Sequence, residues 1–406
     1  MAGKSAVSLI ARRFLLSKSS DQFISFIAWV SVVGVALGVL SLTVVTSVIN
    51  GFEGELAKVI TGTNGDVILY TRSEPIANPR VIESKVKHLL PNLRAITASF
   101  VTEIMVSGPN GVAGAVVEGV DLTTLNQVTT IPQKIIRGKM PASENEVAMG
   151  YALAERLGAK VGSAIRLIAP AVSDGEGSSE PKVMQAVVVG LAKMGMYEYD
   201  SKFIYTPIAS VQKFLQQPGK VTALKMKLAP YADSRKASGT LSSSFGYPFR
   251  AKDWGQLNKN LFYAIKLEKV VIAIILTIIV IVAAFNVVST LMMMIHDKTK
   301  EISILKVMGF SKSQNFRLFC IVGVGIGAIG TTAGVLLGLV LNQILERTRW
   351  IELPPDIYYI NFLPVVVRWE EVGITALAAL VITFLAAIYP AYRVSIRSPM
   401  DGIRYE

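Results

Sequence analysis

Cysteine is almost absent from this sequence, since Cys320 is the only one in 406 residues. A disulfide needs two cysteines, so an intrachain disulfide framework is excluded. Histidine is nearly as scarce, and His88 and His296 have no acidic or thiol neighbours at the spacing of metal ligands. Because a zinc site takes three or four such ligands, the sequence predicts no metal site and no metal-based catalysis.

Charge is missing from four long stretches, which contain no Asp, Glu, Lys or Arg: residues 22–52, 270–295, 318–345 and 372–392. About 20 helical residues cross the hydrocarbon core of a bilayer, and each stretch is long enough. With 51% hydrophobic residues and a mean hydropathy of +0.48, the chain is predicted to be a membrane protein with four transmembrane helices. The lack of carboxylates within these stretches argues against a proton relay or ion-coupled transport.

A complete phosphate-binding loop is also missing. "GKS" at residues 3–5 resembles only the end of one, so we expect no ATP site of that kind on this chain. "GIGAIG" at 325–330 has the letters of a dinucleotide fingerprint but lies inside the third apolar stretch with no strand before it. Glycines at every fourth position favour close helix packing instead, and three are predicted to serve it: Gly330, Gly334 and Gly338.

The net charge of +12 could suggest nucleic acid, but the basic residues form no stripe with interleaved aromatic residues. Nucleic-acid binding is therefore not expected. Lys and Arg are concentrated in residues 1–21, 296–317 and 393–406, which the positive-inside rule places in the cytoplasm. The same rule places residues 53–269 and 346–371 outside. The N-terminal apolar stretch is too long for a signal-peptide core and is predicted to remain as an anchor.

Residues 53–269 are predicted to form a large extracytoplasmic domain of mixed α and β structure between the first and second transmembrane helices. Strands are expected at 65–71, 163–170 and 183–192, a hairpin at 102–120 that turns at 108–111, and a short helix that ends at Gly158. Leu257, Leu261 and Ile265 recur at helical spacing, so we expect a helix that continues unbroken into the second apolar stretch.

A lysine-rich segment, "HDKTKEISILKVMGFSKSQ", separates the second and third apolar stretches. We call residues 296–317 the coupling segment. In helical register one face carries Glu301, Ile304, Leu305 and Met308, and Gly309 is placed to end the helix. The pattern alone leaves two alternatives open: a helix lying against lipid headgroups, or a helix inserted into a groove of a cytoplasmic partner.

"EISILKVMGFSKSQ" resembles the cytoplasmic segment of FtsX/MacB-type ABC transporter permeases, and the four-helix layout is similar to the MacB-like permease fold. "SVINGFEGEL" (47–56), "LFYAIKLEK" (261–269), "AAFNVVSTL" (283–291) and "YPAYRVSIRSPMDGIRYE" (389–406) resemble the LolC/LolE family, whose members are permease subunits of the lipoprotein-releasing transporter. The likeness covers essentially the whole chain and is weakest in the outer domain.

The resemblance implies a protein of the bacterial inner membrane that is not itself an enzyme. It implies that Glu301, Ile304, Leu305, Met308 and Gly309 form a coupling helix for a separate cytoplasmic ATPase of the LolD type. ATP and magnesium would bind that partner, and this chain would hold no cofactor. A second permease subunit, homologous or identical, is implied as well, together with a periplasmic carrier of the LolA type and triacylated lipoproteins as cargo.

The resemblance also implies a cavity for the acyl chains that lies between the first and second transmembrane helices of two subunits. By match to "VINGFE", Ile49, Asn50 and Phe52 would lie at its mouth. On the second helix, the residues implied are Phe285, Val288 and Leu291.

A polar loop at residues 173–182 occupies the place where LolC-type subunits carry a proline-bearing hairpin that recruits the carrier. Here the loop is rich in Gly and Ser, and its candidate carrier-binding residues are Asp174, Glu176, Glu180 and Pro181. An acidic loop could meet a basic carrier surface, or it could be a hairpin tip with no partner. The LolC role, the LolE role and a homodimer with both all remain open.

Two other functions fit the same architecture. One is an FtsX-like transmitter that controls a cell-wall hydrolase, although the outer domain is larger than such regulators usually carry. The other is a MacB-type efflux permease, although that family usually has its ATPase fused to the N-terminus.

Overall fold

The computed structural model describes residues 10–11, 22–72, 74–170, 181–351 and 362–397. The chain divides into two compact units. The helical unit consists of Met1–Phe52, Ala264–Ile351 and Phe362–Glu406, and the sheet unit consists of Glu53–Tyr263 and Glu352–Asn361.

The described helices, in chain order, are α1 (Gln22–Asn64), α2 (Pro79–Leu89), α3 (Leu125–Val128), α4 (Tyr151–Leu157), α5 (Tyr197–Lys202), α6 (Ile208–Phe214), α7 (Ser234–Phe245), α8 (Trp254–Leu257), α9 (Lys259–Asp297), α10 (Thr299–Val307), α11 (Lys312–Thr348) and α12 (Trp369–Ile396). The strands are β1 (Val67–Thr71), β2 (Leu93–Gly108), β3 (Gly111–Val120), β4 (Ile135–Gly138), β5 (Glu146–Gly150), β6 (Ala164–Ala169), β7 (Lys182–Ala192), β8 (Phe203–Pro207), β9 (Ala223–Leu228) and β10 (Phe249–Asp253).

Four of these helices, α1, α9, α11 and α12, are long and apolar enough to cross a membrane. Each contains one of the charge-free stretches of the sequence. Their inward side chains form one core, with Val39 from α1, Val287 from α9, Phe319 from α11 and Ala387 from α12. Large apolar side chains cover much of the outer surface of the same helices, as expected for surfaces that face lipid.

Glycines of α11 bring it into close contact with two other helices. A Cβ placed on Gly334 would lie 2.5 Å from the carbonyl oxygen of Ala36 and 2.8 Å from Cβ of Val39, both on α1. Gly330 and Gly338 meet the same helix one turn away on either side. Two further glycines, Gly323 and Gly327, contact α12 at Ala387 and Thr383. The small residues thus let α1 and α12 approach α11 backbone to backbone.

Replacing Gly334 with valine is expected to force α1 and α11 apart and to destabilise the protein by at least about 1–3 kcal/mol. The yield of monodisperse protein after detergent extraction and its thermal midpoint should both fall. Gly373→Val on α12 is the matched control, because nothing lies within 4 Å of a Cβ at that position. Equal losses in the two variants would assign the effect to helix propensity rather than to packing.

The sheet unit is built on a ten-stranded mixed sheet, with the order β10-β1-β9-β2-β3-β8-β5-β7-β4 and with β6 beside β2 and β7. The 16-residue strand β2 joins the two halves, because its first part pairs with β9 and its last part with β3 and β6. Two pairs, β3 with β8 and β5 with β7, are parallel. Two of its hydrophobic clusters lie on different halves of the sheet.

The strands predicted from the sequence are present as β1, β6 and β7, and the predicted hairpin is β2 and β3 with paired ends at Gly108 and Gly111. Gly158 ends α4 in left-handed geometry, as predicted. The prediction of an unbroken helix from Leu257 was wrong at its start. Asn258 leaves helical geometry at φ −116° and ψ 46°, so Leu257 ends α8 and α9 begins at Lys259.

Strand β10 lies at one end of the sheet order, with β1 as its strand neighbour. Ser242 of α7 covers the backbone of this strand at Ala251. Its Oγ accepts from the Ala251 N–H at 3.2 Å and lies 3.2 Å from the Ala251 carbonyl oxygen, to which it can donate. A hydroxyl can donate and accept at once, so the Ser242 side chain can bond to both the N–H and the carbonyl oxygen of Ala251. A further strand would need such backbone groups for pairing.

Candidate functional site

The coupling segment contains α10, a helix of nine residues that follows a break at Lys298. Three large apolar side chains at its end are open to the surroundings: Ile304 is 56% exposed, Val307 68% and Met308 78%. Gly309 ends the helix at a φ of +97°, a conformation that favours glycine. An exposed apolar helix end of this kind is a surface that another molecule can cover.

The two remaining predicted residues of this face, Glu301 and Leu305, differ in their surroundings. Glu301 is exposed and pairs with Lys298 at 2.6 Å, an interaction worth about 0–1 kcal/mol at such a surface. Leu305 is half-buried. The opposite face holds α10 to its own chain, since Ile302 and Ser303 are buried.

Lys306 ties α10 to the end of α12. Its Nζ donates to the carbonyl oxygens of Arg397 at 2.6 Å, Val394 at 2.9 Å and Ser395 at 3.4 Å. The last carbonyls of a helix carry partial negative charge and lack partners within the helix, so an ammonium group is well placed there. Through this contact, a displacement of α10 would also move this end of α12.

A polar triad joins three of the long helices near residue 50. Lys269 Nζ of α9 donates to Asn50 Oδ1 of α1 at 2.9 Å and to Glu371 Oε1 of α12 at 2.5 Å. Asn50 Nδ2 donates to Glu371 Oε2 at 2.7 Å, which closes the ring. Asn50 is only 1% exposed. The oxygen and the nitrogen of its amide thus each bond to a charged side chain.

The six residues predicted to line an acyl cavity do not share one environment. Phe285 is 65% exposed on α9, and Ile49, Phe52 and Val288 are half-buried. Leu291 is fully buried, beside Gly323 of α11. Asn50 belongs to the polar triad.

The predicted carrier-binding loop lies mostly outside the described residues, including Asp174, Glu176 and Glu180. Pro181 is described and is exposed. The strands on either side of the loop are β6 and β7. Together with β2 they carry a row of apolar residues across the sheet, because Ile168 of β6 pairs in register with Met105 of β2 and with Val183 of β7. Met105 and Val183 are exposed.

A buried ion pair lies within the sheet unit. Lys225 of β9 pairs with Glu118 of β3, and their side chains are only 3% and 1% exposed. Lys225 Nζ also donates to the Thr63 carbonyl oxygen, at the end of α1, at 3.1 Å. Nearby, burial raises the pKa of Tyr205 well above its ordinary value, and the charge of Glu118 adds to the shift. The phenol therefore stays neutral beside the carboxylate.

Comparison with known proteins gives two matching family profiles. The FtsX-like permease C-terminal family matches residues 273–399, and the MacB-like periplasmic core domain matches residues 28–243. The lipoprotein-releasing system transmembrane protein LolC of Neisseria meningitidis serogroup B is 31% identical over 412 residues, which cover 98% of each chain. The chain belongs to the LolC/LolE family.

Both names of this family occur among the relatives. The lipoprotein-releasing system transmembrane protein LolE of Haemophilus influenzae is 26% identical, with 96% of this chain and 97% of that protein covered. Membership in the LolC/LolE family therefore leaves the choice between the two roles open. Among solved structures, the periplasmic region of MacB from Actinobacillus actinomycetemcomitans matches 50% of this chain and 94% of its own at 12% identity, with a TM-score of 0.34 too low to support an argument.

Sequence reasoning missed several residues that the structure brings together. Lys269 and Glu371 each directly precede a charge-free stretch, and they form an ion pair. Two opposite charges at the ends of apolar helices are a sequence signal from which this pair could have been predicted. The predicted face of the coupling helix does not include Val307, and the sequence pattern gave no sign of the contacts that Lys306 makes. These four residues are therefore added to the candidate functional residues of this LolC/LolE family chain.

Proposed function

We propose that this protein is the permease subunit of an ABC transporter that extracts lipoproteins from the bacterial inner membrane and passes them to a periplasmic carrier. A separate cytoplasmic ATPase supplies the energy. The observation that carries the proposal is the alignment with a lipoprotein-releasing system protein at 31% identity across 98% of both chains. Full-length coverage means that the apolar helices and the sheet-bearing domain both have counterparts in that relative.

The membrane arrangement follows from the helices and the flanking charges. Four helices are long and apolar enough to span the inner membrane. Basic residues concentrate in residues 1–21, 296–317 and 393–406, so both termini and the coupling segment lie in the cytoplasm. The sheet unit, whose residues lie mainly between α1 and α9, is then periplasmic.

The ATPase docks on α10. Ile304, Val307 and Met308 offer an exposed apolar helix end, which suits a hydrophobic groove on a partner. Helix-in-groove docking buries such side chains, whereas a cytoplasmic loop without a partner would leave them in water. ATP and magnesium bind to the ATPase, and this chain contributes the lever on which it acts.

The proposed cargo sets a physical requirement for the transfer step. Three acyl chains exposed to water would cost on the order of 30–40 kcal/mol, at about 0.8 kcal/mol for each CH₂ group. The chains must therefore pass from lipid to protein without contacting water. Exposed apolar residues of α9, such as Phe285 and Ile278, supply a surface for this step.

The carrier docks on the sheet unit beside residues 173–182. The row of Met105, Ile168 and Val183 flanks that loop and gives a carrier apolar contact area next to it. The acidic residues of the loop add charge complementarity to a basic carrier surface. This part of the proposal rests on the family resemblance and on the exposed row.

Depletion of the protein tests the proposed function. Outer-membrane lipoproteins should accumulate in the inner-membrane fraction, while integral outer-membrane proteins reach their usual place, and re-expression of the intact chain should reverse the effect. Normal lipoprotein sorting combined with failed septation would favour an FtsX-like transmitter. Normal sorting combined with drug sensitivity would favour a MacB-type efflux permease.

A further inference from the structure

We propose that the triad of Asn50, Lys269 and Glu371 holds α1, α9 and α12 together, and that α12 separates from α9 and opens the triad when the coupling segment moves. The inference rests on the proposed function for its place in transport, since α1 and α9 of two subunits are the helices that would line the acyl cavity. It goes beyond that function because it assigns a holding contact and the helix that breaks it.

The triad joins three helices through three hydrogen bonds between polar side chains. Asn50 accepts from Lys269 and donates to Glu371, and Lys269 also donates to Glu371. Arg368, directly before α12, has its guanidinium 3.9 Å from the Glu371 carboxylate and adds a weaker attraction. Removing any one member of the ring leaves the others with an unsatisfied charge or amide in a largely apolar setting.

Separating the charges of the triad would cost free energy because of where they lie in the chain. Lys269 directly precedes the charge-free residues 270–295, and Glu371 directly precedes residues 372–392. Their side chains are only 28% and 24% exposed. Separating the pair would place two poorly solvated charges at the ends of apolar helices, so the closed ring is favoured until another force acts.

The coupling segment contacts the other end of α12 and can act on the helix there. Lys306 of α10 binds the carbonyl oxygens of Val394, Ser395 and Arg397. From Trp369 to Ile396 the helix has 28 residues, which corresponds to about 40 Å at about 1.5 Å per residue. One helix therefore has the coupling segment at one end and the triad at the other. Movement of α12 can weaken the triad without direct contact between the partner and α1 or α9.

The amide of Asn50 offers a sharp test, because an asparagine side chain can exchange donor and acceptor by turning over. Charge reversal at one position, Lys269→Glu, places two carboxylates together and should open the ring. The exchange of both charges, Lys269→Glu with Glu371→Lys, should close it again with the amide reversed. A role limited to helix propensity or side-chain volume would give no such rescue.

The experiment measures the distance between α9 and α12 in the full chain. Spin labels are placed at Leu267→Cys and Trp369→Cys, two exposed positions that flank the triad, in a Cys320→Ala background. We expect a longer distance in Lys269→Glu than in the parent and a return most of the way in the double exchange. Lys266→Glu, an exposed lysine of α9, is the matched control and should leave the distance unchanged.

The same labels then report on the complete transporter in vesicles. ATP with vanadate should lengthen the distance in the parent and in the double exchange, and Lys306→Met should reduce that response. Equal distances in Lys269→Glu and the parent, or a double exchange as open as the single variant, would overturn the proposal. The measurements on the chain alone need no cargo, so their failure is distinct from failure of the proposed function.

Discussion

Aspartate at Ile304 and Met308 together should abolish co-purification of the partner ATPase. Both side chains are more than half exposed at the end of α10 and are not part of the packing that holds the helix to its own chain. At about 2 kcal/mol for each lost apolar anchor, the affinity falls on the order of a thousandfold. Affinity purification of the permease followed by quantification of the bound ATPase measures the effect.

The choice of residues follows the structure rather than the sequence pattern alone. Leu305 is half-buried, so a charge there would disturb folding as well as docking. Val81→Asp is the control, because Val81 is 66% exposed on α2 of the sheet unit. If the double variant bound as much ATPase as the parent, the other alternative would hold, in which the coupling segment lies against lipid headgroups.

Lys225→Met should destabilise the sheet unit by about 3–5 kcal/mol, because it leaves the enclosed carboxylate of Glu118 without its counterion. It also removes the donor to the Thr63 carbonyl oxygen. A loss of this size is a large part of the total stability of an ordinary domain, about 5–15 kcal/mol. Thermal unfolding and protease resistance of the detergent-solubilised chain measure it.

Two companion variants identify the cause. Lys227→Met on the same strand removes a pair with Asp66 at 2.9 Å whose lysine is 38% exposed, so the expected loss is below about 1 kcal/mol. The combined Glu118→Leu and Lys225→Met variant should regain most of the lost stability, since no unpaired charge remains buried. If the combined variant were as unstable as Lys225→Met, packing or the contact with Thr63 would be the source of stability.

The elements that the sequence predicted well are those with strong local signals. The absence of charge over residues 270–295 and 318–345 located α9 and α11 without any long-range information. The Gly-rich turn at 108–111 identified the β2–β3 hairpin, because such residues favour tight turns. Local chemistry decides these features, so one sequence is enough to find them.

The parts that could not be predicted depend on partners distant in sequence. Glu118 and Lys225 lie in strands that become close only through the order β9-β2-β3, which no local pattern encodes. The triad joins residues 50, 269 and 371 for the same reason. Helical phase likewise could not show that Leu291 is enclosed while Phe285 is exposed, because both lie in a uniformly apolar helix.

Ser242, which covers the backbone of β10, limits the ways in which another chain can bind the periplasmic domain. A visiting peptide could extend the sheet at that border only by displacing the Ser242 hydroxyl from Ala251. The opposite border, β4, is a strand of four residues and offers a short template. Both borders therefore disfavour binding by strand addition, and the same features disfavour edge-to-edge pairing between copies of the chain.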